Sequence, residues 1–94
     1  MKIVFDELKR QSNRAKHGFD FADFERCFDR DTALVLPTRP SRTGRNRYLF
    51  IGLWNGDIVV LAVVSPLGSE ALSLVSIRRA DEQEREAYDR HFET

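Results

Sequence analysis

With one cysteine, the chain can form no internal disulfide, and Cys27 stands in an apolar pattern that suits core packing in a reducing cytosol. Long hydrophobic runs are missing as well. The longest strongly apolar stretch, Ile58 to Val64, is roughly a third of what a membrane-crossing helix needs. The run Ile3 to Phe5, halted by Asp6, falls far short of the apolar region of a signal peptide, so a soluble, cytoplasmic protein is expected. Net charge is absent: fifteen acidic and fifteen basic side chains cancel, and the charge of the whole chain selects no partner. Two histidines far apart, a lone cysteine and no clustered acid motif specify no metal site. The sequence also lacks a glycine-rich phosphate loop and a G-x-S-x-G elbow, so any catalysis is expected to be free of metal and cofactor.

What is present is enough for one core. Ninety-four residues make a single domain, because a second would bury too little apolar surface to offset the entropy of ordering it. Apolar residues form 41% of the chain, including seven Phe and one Trp, which suits a globular fold rather than a disordered tail. Charge is arranged in blocks. Lys9 to His17 and Arg39 to Arg47 each carry four Lys or Arg and no acid, whereas Asp20 to Asp31 and Asp81 to Thr94 are rich in Asp and Glu. Two basic blocks folded onto one surface would attract phosphates despite overall neutrality; locally balanced, solvated charge is the plainer reading.

Periodicity divides the chain into an α+β order of elements. Lys2 to Phe5 is a strand candidate, Asp6 an N-cap, and a first helix runs to about His17, with Gly18 as a left-handed cap. Asp20 starts a second helix, on which Phe21, Phe24, Cys27 and Phe28 form one apolar stripe. Ala33 to Leu36 reads as a strand and Pro37 to Gly44 as a loop. Arg47 to Trp54 and Ile58 to Val64 flank Asn55-Gly56, a strong signal for an antiparallel hairpin, and the unbroken apolar second strand predicts a central position. Pro66 and Gly68 interrupt the chain before a last strand, Leu72 to Ile77. Asp81 and Glu84 then set up a capping box for a final helix whose sparse apolar positions, Ala87, Tyr88 and Phe92, predict a loosely attached element.

On the first helix, Lys9, Asn13, Lys16 and His17 lie at i, i+4, i+7 and i+8 and share one cationic, polar face. That face suits phosphate, and it equally suits plain solvation. His17 ends the helix, where it either serves the dipole or moves a proton near neutral pH. Strict alternation in the last strand puts Leu72, Leu74, Ser76 and Arg78 on one side and Ser73, Val75, Ile77 and Arg79 on the other. One arginine of the pair is then free to face a substrate while the other meets an acid of the last helix. Arg47, at the head of the hairpin, reads as a phosphate contact or a structural ion pair.

Three stretches together resemble the BrnT family of toxins from type II toxin-antitoxin systems. They are D-E-L-K-R-Q-S-N-R-A-K-H-G-F-D-F from Asp6 to Phe21, R-Y-L-F-I-G from Arg47 to Gly52, and L-V-S-I-R-R-A with Glu84 and Tyr88 beyond it. The resemblance covers nearly the whole chain, and its first stretch is the most specific. It implies a RelE-like fold with an N-terminal strand, two helices, an antiparallel twisted sheet and a C-terminal helix. It further implies metal-independent RNA cleavage that inhibits translation, and neutralisation by a BrnA-like antitoxin in a heterotetramer.

Carried over residue by residue, the matching positions are Lys9, Asn13, Lys16, His17, Arg47, Ser76, Arg78 and Arg79. The chemistry needs a base for the 2′-hydroxyl, cations for the phosphorane and an acid for the leaving oxygen. His17, Lys9, Arg47 and Arg78 are the expected catalytic residues, and Asn13, Lys16, Ser76 and Arg79, with Arg39, Arg42 and Arg45 of the loop, the expected RNA contacts. The chain departs from the family pattern at Ser73, where many members have arginine, at Leu67, in place of the arginine of a Thr-x-Arg turn, and at Asn46, in place of an acid. These departures motivate a second reading, a catalytically degenerate relative that binds antitoxin or RNA without cleaving.

Overall fold

A computed structural model describes residues 2–38, 42 and 44–93. The elements are β1 (Lys2–Val4), α1 (Glu7–His17), a 3-10 turn (Phe21–Asp23) running into α2 (Phe24–Cys27), β2 (Leu34–Pro37), β3 (Tyr48–Trp54), β4 (Ile58–Leu67), β5 (Ala71–Arg79) and α3 (Glu82–Glu93). The α+β class and the order of elements are as expected. One five-stranded sheet, ordered β1-β5-β4-β3-β2, carries helices on both faces. It is mixed rather than purely antiparallel, because β1 joins the outer edge of β5 in parallel, Lys2 opposite Ala71 and Val4 opposite Ser73. Every other pairing is antiparallel.

Local signals account for the boundaries of α1. The Asp6 carboxylate accepts from the Lys9 N–H at 3.0 Å, and Gly18 ends the helix at φ 80°, a conformation that costs glycine little. The second helix is shorter than its apolar stripe predicts. Phe28 is extended and bridges Trp54, while the Cys27 carbonyl accepts from Asn55 N–H and the Leu53 carbonyl from Asp29 N–H. Backbone pairing to β3 thus overrides the helical period after one turn. Gly52 makes this approach possible: a Cβ there would lie 3.0 Å from the Phe28 ring.

In the hairpin, Asn55 and Gly56 take φ 56° and 67°, which matches the twist of β3 and β4. β4 outlasts its predicted end and continues through Pro66 to Leu67. β3 pairing ends at Val64, so beyond it β4 has a free side, where a missing N–H costs no ladder bond.

Strict alternation fails in β5. Val63 pairs with Ser76 and Val64 with Leu74, which leaves Val75 as the extra residue of a β-bulge. The bulge resets the parity. Leu72, Leu74 and Ile77 all enter the larger core, while Ser76 and Arg78 share the face of Val63 and Leu61.

That larger core lies between the sheet and the stretch from the 3-10 turn through α2 and includes Phe21, Phe24, Phe28, Trp54, Val60, Val64 and Ile77; Cys27 belongs to it as expected. The opposite face has a smaller core of Ile51, Leu61 and Tyr88 under α3. Among the described residues no helix is long and apolar enough to cross a membrane.

Candidate active site

The first basic block divides by partner. Arg10 is clamped by Asp20, with Nε to Oδ1 at 2.7 Å and Nη2 to Oδ2 at 3.0 Å, and also reaches Glu7 at 2.8 Å. Arg14 adds a looser pair to Asp20 at 3.5 Å. The Arg10 guanidinium, helped by the Ala22 N–H, holds the Asp20 carboxyl well below the usual carboxylate range, and the pairing raises Arg10 in turn. Lys9, Lys16 and His17 are exposed, and no hydrogen-bond or ion-pair partner engages their side chains among the described residues. Two cations of α1 are therefore structural, and the other two, with the histidine, face solvent.

Asn13 holds that set in place. It is 6% exposed, and its Nδ2 donates to the carbonyls of Phe19 at 3.0 Å and Ile77 at 2.9 Å, while its Oδ1 accepts from Ile77 N–H at 3.0 Å. β1 covers β5 only as far as Ser73, so the backbone of Ile77 would otherwise face an open edge. One side-chain amide replaces the missing strand there and pins the middle of α1 against β5. Both amide hydrogens are committed to protein carbonyls, so the side chain expected to touch RNA has a structural duty.

Between α1 and the bulge of β5 lies a hollow of about 220 Å³, lined by Lys9, Ser12, Asn13, Lys16, His17, Val75 and Ser76. The helical period anticipates the α1 members, and Ser12, three residues after Lys9, belongs to the same face although the charge pattern alone does not select it. Ser76 enters from the sheet just past the bulge.

The arginines lie elsewhere. Arg78 makes a double hydrogen bond to Glu84, Nη1 to Oε1 and Nη2 to Oε2, each 2.8 Å, and donates to the Arg79 carbonyl at 3.1 Å. This is the arginine that meets the last helix; Arg79 is exposed. Glu84 also receives the Asp81 N–H, and with the Arg78 bond this holds its carboxyl below the usual range. Arg47 is half-buried at the start of β3, beyond the pair Tyr48–Val64, where the neighbouring Asn46 carbonyl accepts from Ser65 Oγ at 2.9 Å. Arg42 and Arg45 are exposed in the preceding loop, and Arg39 lies outside the described residues. The hollow thus gathers Lys9, Asn13, Lys16, His17 and Ser76, and not Arg42, Arg45, Arg47, Arg78 or Arg79.

Fold and hollow together define a class: small single-sheet α+β proteins that present a histidine and unpaired lysines beside a sheet edge. Within that class the chain belongs to the BrnT family. Residues 5–84 match the family model described as the ribonuclease toxin BrnT of type II toxin-antitoxin systems. The crystal structure of the Brucella abortus ribonuclease toxin BrnT is similar at 46% identity with a TM-score of 0.73, over 87% of this chain and 99% of that one. No curated protein matches the chain.

Proposed function

We propose that this chain is a metal-independent endoribonuclease that inhibits translation in the cytoplasm until a BrnA-like antitoxin neutralises it, the two assembling as a heterotetramer. The observation that carries this reading is the hollow itself: Lys9, Lys16 and His17, exposed and without partners among the described residues, converge on it beside Ser76. Side chains there supply positive charge and a group able to move protons, the two things phosphodiester transfer asks of a protein.

In this scheme His17 takes the proton of the ribose 2′-hydroxyl. The 2′-oxygen forms its bond to phosphorus as the bond to the 5′-oxygen breaks, and that oxygen leaves with a proton given by the Lys9 ammonium. Lys9 and Lys16 stabilise the pentacoordinate phosphorane, and the product is a 2′,3′-cyclic phosphate. Ser76 and Asn13 shape the hollow, Asn13 by position rather than by contact. Arg47, Arg79, Arg42 and Arg45 bind the RNA backbone outside it, and Arg39 is a further RNA contact. Arg78 joins them by exchanging the Glu84 carboxylate for a phosphate, since both match its planar fork.

The test is incubation of purified, antitoxin-free protein with total RNA in EDTA, beside His17→Ala and Lys9→Ala/Lys16→Ala variants. Cleavage by the wild type, reduced about a hundredfold or more in each variant, is the expected result. Cleavage undiminished in the variants would remove the hollow from the mechanism. The pairing of Arg78 with Glu84 favours the second reading, a binder that does not cut, because it occupies one expected catalytic cation. Intact RNA in all lanes, with the folded protein still binding RNA, is what that reading predicts.

A further inference from the structure

A larger concavity than the hollow opens where β4 begins. It measures about 490 Å³ and is lined by Asp57, Ile58, Val59, Arg79, Ala80 and Arg85. We propose that this cleft binds a nucleotide of single-stranded RNA flanking the cut, its phosphate held by Arg79 and Arg85; the assignment rests on the ribonuclease reading of the hollow.

The two guanidiniums arrive from separate elements, Arg79 as the last residue of β5 and Arg85 from the first turn of α3. Neither has an ion-pair or hydrogen-bond partner among the described residues. Arg10, Arg26 and Arg78, by contrast, are each paired with an acid, Asp20, Asp23 and Glu84 in turn. Asp57 lines the same cleft without engaging either arginine, which leaves two positive charges and one negative. Such a balance suits a nucleotide better than a bare anion: the guanidiniums take the phosphate, and the carboxylate accepts from a ribose hydroxyl or an exocyclic amine. Half-buried Ile58 and Val59 provide apolar wall for the sugar or base.

Nothing is asked of the α3 N-terminus, where Asp81 and Glu84 already cap each other and Ala80 N–H is bonded to Val59. Position along β5 places the cleft outside the reaction centre. Ser76 lines the hollow and Arg79 lies three residues further, roughly 10 Å along an extended strand, so one phosphate cannot occupy both.

The experiment measures binding of a short 2′-O-methyl RNA, which lacks the attacking hydroxyl, by fluorescence anisotropy across a salt series. Arg79→Gln/Arg85→Gln is compared with wild type and with a charge-matched control, Arg30→Gln/Arg90→Gln, whose residues lie outside both concavities. The cleft variant is expected to bind about tenfold more weakly, with the slope of log K against log salt reduced by about 0.7, the loss of one single-strand phosphate contact. Arg79→Lys/Arg85→Lys should recover most of that slope, because the point charges remain. Arg85→Gln alone, on an exposed helix surface, repeats the test where the double variant melts early. Affinity and slope no different from the control overturn the proposal, as does wild-type protein that fails to bind. Cleavage of unmodified RNA in EDTA is read in parallel. Wild type that binds through the cleft without cutting removes the ribonuclease reading alone; cutting with no effect of the cleft variants removes the cleft alone.

Discussion

At Asn13 a single amide does the work of a strand, and its three hydrogen bonds to the backbones of Phe19 and Ile77 make the position intolerant. Asn13→Ala should lower stability by about 2–4 kcal/mol in urea unfolding, because it strands a buried N–H and a buried carbonyl. Asn13→Asp should cost at least as much, since a carboxylate has no hydrogens to give the two carbonyls and faces both as a like partial charge. A loss near zero in both variants would mean that water replaces the amide. Tyr88 presents the opposite case. Its ring is buried on Ile51 and Leu61, yet its hydroxyl is buried with no partner among the described residues. Tyr88→Phe should therefore leave stability unchanged or raise it by about 1 kcal/mol, and a loss of more than that would show a bound water satisfying the hydroxyl. The polar stripe containing Asn13 is legible in the sequence because helical spacing is local. Its buried duty is not, because Ile77 lies 64 residues away.

Elements whose signals are local emerge from the sequence close to their observed limits. Asp6 and Gly18 bound α1, Asn55-Gly56 turns the hairpin, and Asp81 and Glu84 form a reciprocal capping box with both bonds at 2.8 Å. Elements set by distant pairing do not. The Phe28–Trp54 bridge cuts α2 short, β1 finds β5 in parallel, and the Val75 bulge places Ile77 with Leu72 and Leu74 against strict alternation. The same division runs through the candidate site: the α1 face is readable from period, whereas the choice of Arg78 over Arg79 as the partner of Glu84 depends on the bulge and on where α3 docks. Glu84 gives α3 a pH dependence whose sign is fixed. Arg78 holds the folded carboxyl below its unfolded value of about 4.3, so the contribution is complete above that pH and is lost as pH falls through the lower folded value. Glu84→Gln keeps the capping box but not the charge pair. The stability gap between wild type and this variant should thus be widest above about pH 5 and narrow below pH 4, as read by chemical denaturation at each pH. A gap constant with pH would mean that the pair adds no charge-dependent stability. Asp20, lowered in the same direction by Arg10, leaves Glu84→Gln with some acid lability of its own.

Across the whole molecule the sheet is covered unequally. Among the described residues eleven buried side chains lock the 3-10 turn and α2 to one face, with α1 pinned beside them by Asn13, whereas three close the other, so the α3 layer rests on Tyr88 and on the Arg78–Glu84 pair at its start. Phe92 meets the Tyr88 ring edge to face but remains half exposed, and adds little to that hold. Local opening free energies track buried apolar contact, so α3 should open without the rest of the fold. Native-state hydrogen exchange is the direct measurement. Amides of residues 86–93 should exchange through an opening that depends weakly on denaturant, at a free energy below the global value, while amides of β4 exchange only by global unfolding. Lowering the pH toward 3.5 should widen the difference, because protonating Glu84 loosens α3 before it loosens β4. Exchange of α3 and β4 at one common free energy, at both pH values, would show instead that Tyr88 alone couples the last helix to the core and that the molecule unfolds as a single unit.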